Sequence, residues 1–390
     1  MNNEEILKEI GRGCIDIVSR EELVKKLSSG KKLRVKLGVD PTSRDLHLGH
    51  SVVLGKLRQF QDLGHTAVLI IGDFTAQVGD PSGRDSTRPV IDQKTVQQNA
   101  ETYTQQAFKV LDKDKTEIRF NGEWLKPFVA DSSAGISGLI GVAKNITVSR
   151  LLEREDFKTR MKAENPVSLL EILYPVFQGY DSVAVQADIE LGGQDQIFNL
   201  LVGRDLQKLH SLEPQVVMTM PLLIGTDGAR KMSKSYGNYV ALNDLPSEMF
   251  GKLMSVSDAL MLDYYKLLTA LDTAEIKKLH PMEAKKRLAG LLIEKYHGPI
   301  EAAAAREQFE KVFSKKELPV DMEIFRVEAA GKLSQLMAAC GVTGGTNEAR
   351  RMIEQGAVRI DGEKVTEDMI FEPKDCVLQV GRRQFRKLVK

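Results

Sequence analysis

Cysteine is scarce: Cys14, Cys340 and Cys376 are the only three in 390 residues. They are odd in number, far apart and never in Cys-x-x-Cys spacing, which argues against a disulfide framework and a cysteine-built zinc site. An excess of one charge is also missing. Lysine plus arginine total 55 against 54 for aspartate plus glutamate, a net +1, so any surface for a polyanion has to be a local patch. No apolar run approaches the ~18–20 residues of a membrane span. Met1-Asn2-Asn3-Glu4-Glu5 has neither the basic nor the apolar region of a secretory leader. The expectation is therefore a cytoplasmic protein without a membrane segment. Tryptophan occurs once, at Trp124, and there is no internal repeat. What remains is 42% hydrophobic and 28% charged residues, an ordinary globular composition in a chain long enough for two or three domains.

Residues 1–30 read as one or two polar lead-in helices. Residues 33–39 alternate apolar and polar as a strand does and stop at Asp40-Pro41-Thr42, where proline ends the ladder. A helix is expected from His47 to Leu63 with Asp45 or Ser43 as N-cap, and the apolar run 67–72 fits a strand buried on both faces. Strand, helix, strand makes a βαβ unit, hence an α/β fold with a parallel, doubly wound, Rossmann-like sheet. Residues 85–165 look like a helical insertion, and sheet patterns resume around 183–191 and 216–224. From 247 to 315 the patterns are helical, and Glu317-Leu318-Pro319 fits a linker. The last 60 residues predict helices near 332–340 and 346–355, then a tight hairpin at Asp361-Gly362. After Cys376 come Arg382, Arg383, Arg386, Lys387 and Lys390 with no acid among them. The domains expected are 1–237, 238–318 and 328–390.

Two short motifs carry the most chemistry. His47-Leu48-Gly49-His50 opens a helix with its histidines at i, i+3 on one face. Imidazole N–H groups there would join backbone donors and the helix dipole in an anion site, and Gly49 would let a nucleotide lie close. A zinc pair is the competing reading, but no third Cys or His ligand stands nearby. Lys231-Met232-Ser233-Lys234-Ser235 lies in a loop between Gly228 and Gly237. Two ammonium groups on a flexible loop can neutralise charge on a migrating pyrophosphate; an exposed basic loop is the bland alternative.

Three further segments fall at strand ends or on one helix face. Gly79 to Arg84 makes a Gly/Pro-dense turn after the second strand, with Arg84 and Arg88 placed to hold phosphate oxygens or simply to be solvated. Tyr174, Gln178 and Asp181 at i, i+4, i+7 make a polar stripe beside apolar neighbours, suited to a small amphiphilic ligand or to water. Pro175 implies a kink or a helix start nearby. Gly192-Gly193-Gln194-Asp195-Gln196 leaves a strand and enters a helix, with Asp195 positioned for ribose hydroxyls.

In order and spacing these motifs resemble those of the class I aminoacyl-tRNA synthetases, and of bacterial tyrosyl-tRNA synthetases in particular, over essentially the whole chain. That resemblance implies ATP with Mg2+ as co-substrate, no protein-ligated metal, L-tyrosine and tRNA as partners, and a homodimer formed through the 85–165 insertion. It also implies site roles. Asp181 would accept the tyrosine phenol, Tyr174, Gln178 and Asp80 would hold the α-amino group, and Asp40 and Gln196 would lie on the amino acid. Asp195, Gly49, Gly192, Gly193, Ser233 and Arg88 would bind ATP. His47, His50, Lys231 and Lys234, with Thr42 and Arg84 near the phosphates, would stabilise the transition state. Residues 238–318 would bind the anticodon. The 328–390 unit resembles a small α+β RNA-binding fold first known from a ribosomal protein, gripping RNA through Arg382, Arg383, Arg386 and Lys387. Two departures stand out: many relatives carry tyrosine where this chain has Lys36, and lysine where it has Arg84. The rival readings are a tryptophanyl enzyme, another adenylyltransferase of the superfamily, and an inactive RNA-binding relative.

Overall fold

A computed structural model describes residues 3–82, 91–130, 138–314, 322–327, 329–381 and 384–390. Six strands make the main sheet: β1 (Asp16–Val18), β2 (Arg34–Val39), β3 (Thr66–Ile71), β4 (Thr116–Phe120), β5 (Ile189–Gly193) and β6 (Val216–Met220). Their order is β1-β6-β5-β2-β3-β4. Every neighbouring pair is parallel except β1 with β6. β2 and β5 are adjacent although 149 residues of chain, 40–188, lie between them, so the order reverses at β2. Ligands bind at such a switch point, outside the carboxyl ends of the strands.

Three expectations are corrected here. The lead-in 1–30 holds the two helices expected, Asn3–Gly11 and Arg20–Ser28, but between them Asp16–Val18 forms the antiparallel edge strand, which was not foreseen. The segment 85–165 is not one insertion. It contains β4, which completes the other edge, so the inserted helices begin only after Phe120. An edge strand is half covered, and Thr116–Phe120 shows no fully buried position and hence no apolar run. The sheet pattern near 183 was the end of a helix, Leu169–Ala184, with the strand starting at Ile189. That helix starts in a capping box formed by Ser168 and Glu171 and carries Pro175 in its interior rather than at its start. Proline there leaves one i→i−4 bond unmade, and the helix still runs on to Ala184.

The chain divides into two compact units, Met1–Ala302 and Ala303–Lys390, so the helical segment after residue 238 mostly belongs with the sheet. In the second unit, helices Leu333–Ala339 and Thr346–Glu354 accompany a five-stranded sheet. Its hairpin pairs Ile360 with Glu363. Asp361 and Gly362 have φ of 51° and 85°, the positive values that a tight two-residue turn requires. Leu333, Met337, Ala349, Ile353, Val358 and Leu378 lie in its core. No helix of the described residues is long and apolar enough to cross a membrane.

Candidate active site

A cavity of about 590 Å³ opens over the carboxyl ends of the strands, lined by side chains from β2, β3 and β5 ends, two helices and the lysine-bearing loop. Its rim carries His47, His50, Lys231 and Lys234, and its interior carries Asp40, Asp80, Tyr174, Gln178, Asp181, Asp195 and Gln196. Thr42, Gly49, Gly192, Gly193 and Ser233 also line it. Arg84 and Arg88 fall outside the described residues.

The histidine motif is built differently from the expectation. The N-cap of helix Leu48–Asp62 is His47 itself, not Asp45 or Ser43. His47 Nδ1 accepts from the Gly49 N–H at 3.1 Å, and His50 Nδ1 accepts from the His47 N–H at 3.2 Å. The other first-turn N–H groups bond to carbonyls of Val240 and His47, so the helix start offers no free backbone donor. What this helix start can offer an anion is instead the two imidazoles. Because both Nδ1 atoms accept, the proton of each neutral ring sits on Nε2. Burial pushes His47 down to about 2 and His50 down to about 4, aided by the Lys234 charge, so both rings are neutral at physiological pH. Gly49 has a further local role. A Cβ there would meet the His47 ring at 2.9 Å, so the glycine makes room for the capping imidazole.

The lysine loop is held at its root. Asn238 donates to Asp227 Oδ2 and to the carbonyls of Arg230 and Lys231, and accepts from the Ser233 N–H. Gly237 closes the loop at φ 65°. Both ammonium groups rest on carboxylates: Lys231 Nζ lies 3.3 Å from Asp195 Oδ2, and Lys234 Nζ lies 2.7 Å from Asp45 Oδ2. Burial raises the Asp195 carboxyl above its ordinary range, and Lys231 opposes that shift.

The polar stripe of Leu169–Ala184 faces the closed end of the cavity. Tyr174 donates its hydroxyl to Asp40 Oδ2 at 2.8 Å, and Thr75 donates to Asp40 Oδ1 at 2.7 Å. Burial and three neighbouring carboxylates raise the Tyr174 phenol well above its usual range, so it stays protonated and donating. Asp80 accepts from Gln196 Nε2 at 2.8 Å and from the Ser82 N–H. Deepest lies Asp181, 3% exposed. Trp124 Nε1 donates to its Oδ1 at 2.8 Å and Asn121 Nδ2 to its Oδ2 at 3.3 Å. Burial pushes this carboxyl up to about 7, against the opposing pull of Lys36 and of the two hydrogen bonds.

Four participants were not foreseen. Trp124 was notable only as the single tryptophan, and Asn121 lies just past the β4 strand that had been read as insertion. Thr75 had no signal. Asn199 is a buried hub, donating to Gln178 Oε1 and Gln196 Oε1 at 3.0 Å each; its only clue is the i, i+3 spacing from Gln196. Lys36, where many relatives have tyrosine, does not line the cavity. It is fully buried behind it, 2.8 Å from Glu190 Oε1. In the second unit Arg386 bonds the Cys340 carbonyl and pairs with Glu323, while Lys387 is exposed. Arg382 and Arg383 fall outside the described residues.

Residues 28–314 match the family described as "tRNA synthetases class I (W and Y)", and residues 346–377 match the S4 domain. The tyrosine–tRNA ligase of Thermotoga maritima is 49% identical over 400 aligned residues, covering 100% of this chain and 98% of that one. That of Aquifex aeolicus is 48% identical, with both chains covered completely. Among solved structures, a tyrosyl-tRNA synthetase from Archaeoglobus fulgidus complexed with L-tyrosine superposes with a TM-score of 0.63 at 22% identity, covering 78% of this chain and 100% of that one. A truncated mitochondrial enzyme from Aspergillus nidulans gives 0.64 at 22% identity, covering 80% of this chain and 94% of that one. These two show the shared fold. With full-length relatives at nearly half identity, the chain belongs to the tyrosine–tRNA ligase family of the class I tRNA synthetases.

Proposed function

We propose that this protein activates L-tyrosine with ATP and transfers the tyrosyl group to the terminal adenosine of a tRNA. The observation that carries the reading is Asp181. It is a buried carboxyl at the closed end of the cavity, held by two donors, so its remaining lone pairs would suit a ligand that brings a hydrogen-bond donor to that end. Tyrosine does so. Tryptophan would bring an N–H on a larger ring, and relatives across the full length of the chain are named for tyrosine.

With the phenol on Asp181, the α-ammonium group would lie among Tyr174, Gln178 and Asp80, and the carboxylate would point towards Gln196 and the rim. The tyrosine carboxylate attacks the α-phosphorus in line; the new O–P bond forms as the bond to pyrophosphate breaks. A ribose hydroxyl of the tRNA then attacks the mixed anhydride and AMP leaves. No side chain becomes a covalent nucleophile, so catalysis rests on positioning and on charge placed where it develops. The Nε2–H groups of His47 and His50 would donate hydrogen bonds there, and the ammonium groups of Lys231 and Lys234 would supply the positive charge. Asp195 and the glycine pair at 192–193 take the ribose, which requires Lys231 to release Asp195. Ser233, Thr42, Arg84 and Arg88 would accompany the phosphates. Mg2+ would arrive on the triphosphate; no group of three or more His, Cys, Asp or Glu among the described residues could hold a metal.

The catalytic region would be 1–237, with 238–318 and 328–390 engaging tRNA. In the last unit Lys387, with Arg382 and Arg383, would meet phosphates, while Arg386 is committed to Cys340 and Glu323. A homodimer through the inserted helices is supported by exposed apolar side chains there, Val129, Ile140, Val148 and Met161, and by Leu169 and Leu170 at the start of the next helix. Exposed apolar side chains of this size are what a subunit interface would cover. The setting for this activity would be the cytoplasm. The test is tyrosine-dependent ATP–pyrophosphate exchange without tRNA, followed by esterification of tRNA once it is added; exchange without esterification would remove the second step from the proposal.

A further inference from the structure

Immediately behind the phenol end of the cavity lies a charged cluster that the reaction scheme does not use. Lys36 on β2 and Glu190 on β5 are register partners across two parallel strands, 0% and 1% exposed. Their neighbours along the strands, Val35, Leu37, Ile189 and Leu191, are apolar core. Lys36 Nζ is 2.8 Å from Glu190 Oε1 and also donates to the Gln178 carbonyl at 3.0 Å and to Ser182 Oγ at 2.7 Å. Ser182 in turn donates to Glu190 Oε2 at 2.8 Å, and Gln215 Nε2 donates to the same oxygen. Gln178 and Ser182 bracket Asp181 on one turn of helix, so the cluster grips the backbone that carries the phenol's acceptor.

A fully buried ion pair is a poor way to stabilise a sheet, because desolvation offsets most of the attraction and apolar side chains of similar volume serve as well. Its position gives it another use. We propose that Lys36 is a positioning residue for the amino-acid site, anchoring the Gln178–Ser182 turn and supplying the cation that keeps Asp181 an acceptor for the phenol, with Glu190 holding that cation in place. Lys36 thus takes a part in phenol recognition without touching the ligand. This rests on Asp181 being the phenol's acceptor.

Several charged or titratable groups surround Asp181. The charges of Lys36 on β2 and Glu190 on β5 act on it; Tyr174 lies on the same helix, with the Asp40 and Asp80 carboxylates acting on its phenol. Arg119 of β4 stacks 5.2 Å above the Trp124 ring, and Trp124 and Asn121 are neutral donors. Lys36 pulls the Asp181 carboxyl down and Glu190 pushes it up. The two partners therefore have opposite signs, which packing alone would not produce.

The experiment is the pH profile of kcat/KM for tyrosine in ATP–pyrophosphate exchange, whose acid limb reports groups of the free enzyme. With Asp181 pushed up to about 7 by burial, activity should fall as pH drops through neutrality. Lys36→Met should move that limb up by about one unit, and Glu190→Gln should move it down, since opposite and like charges at such range shift carboxyls in opposite directions. If Lys36→Met fails to fold, the paired variant Lys36→Met/Glu190→Gln, which leaves no unpaired ion, should still move the limb up, by less. Profiles that overlay the unaltered chain, or two single variants shifting the same way, would overturn the proposal. Failure of the underlying reading looks different: Asp181→Asn would then leave the tyrosine KM unchanged.

Discussion

Removing Asp45 should make the enzyme faster with ATP. Lys234 Nζ sits 2.7 Å from Asp45 Oδ2, with side chains 24% and 38% exposed. In the proposed scheme that ammonium must leave Asp45 to meet the pyrophosphate, so the free energy of the pair is subtracted from transition-state stabilisation. Partly exposed pairs contribute about 0.2–1 kcal/mol. At ~1.4 kcal/mol per factor of ten, Asp45→Ala should raise kcat/KM for ATP by up to about fivefold. The assay is exchange at saturating tyrosine and varied ATP. Because salt screens exposed charges, the gain should shrink between low salt and ~0.5 M. Lys231 should behave differently, since in the same scheme its partner Asp195 takes the ribose; Asp195→Ala should lower the rate. An Asp45→Ala rate below that of the unaltered chain would refute the reasoning, because Asp45 would then be serving the closed loop. An unchanged rate at every salt concentration would refute it too, because Lys234 would never have left.

Gly49→Ala should leave stability nearly unchanged while lowering exchange about tenfold or more. Alanine gains roughly 1 kcal/mol of helix propensity, and displacing the His47 ring from its 2.9 Å clearance costs about as much in lost capping. In the proposed scheme the displaced imidazole would no longer reach the phosphates; thermal melts beside exchange kinetics check both halves. Asp181→Asn should be stabilising at high pH. A carboxyl held near 7 against an ordinary 3.8 contributes stability that is present below 3.8 and lost as pH rises through 7. Between pH 5 and 8 the unaltered chain should lose about 3 kcal/mol relative to the variant. Denaturant melts of both at pH 5, 6.5 and 8 measure it, and a difference that does not grow with pH would show that the carboxyl is not strained by burial.

What could be read from the chain followed how local the contacts are. The histidine motif, the lysine loop and the Asp361-Gly362 hairpin depend on neighbours a few residues away, and sequence order there is spatial order. The cap itself escaped notice because imidazole is an uncommon N-cap, so Asp45 and Ser43 were favoured. Trp124 and Asn121 reach Asp181 from 57 and 60 residues away, across a strand too exposed to register as one. Lys36 and Glu190 meet only because β2 and β5 are neighbours in the sheet. That adjacency is a property of strand order, and nothing in the periodicity of either strand states it. A lysine inside a strand otherwise reads as solvated, since few lysines are fully buried unless paired.

The most direct measurement is ATP–pyrophosphate exchange without tRNA, with tyrosine, phenylalanine and tryptophan side by side. Tyrosine should support exchange. Phenylalanine should be poorer by about 1–3 kcal/mol or more in kcat/KM, because a buried acceptor would be left without its partner. Tryptophan should give no measurable rate. Exchange with phenylalanine equal to that with tyrosine would contradict the role of Asp181, and exchange with tryptophan alone would contradict the substrate.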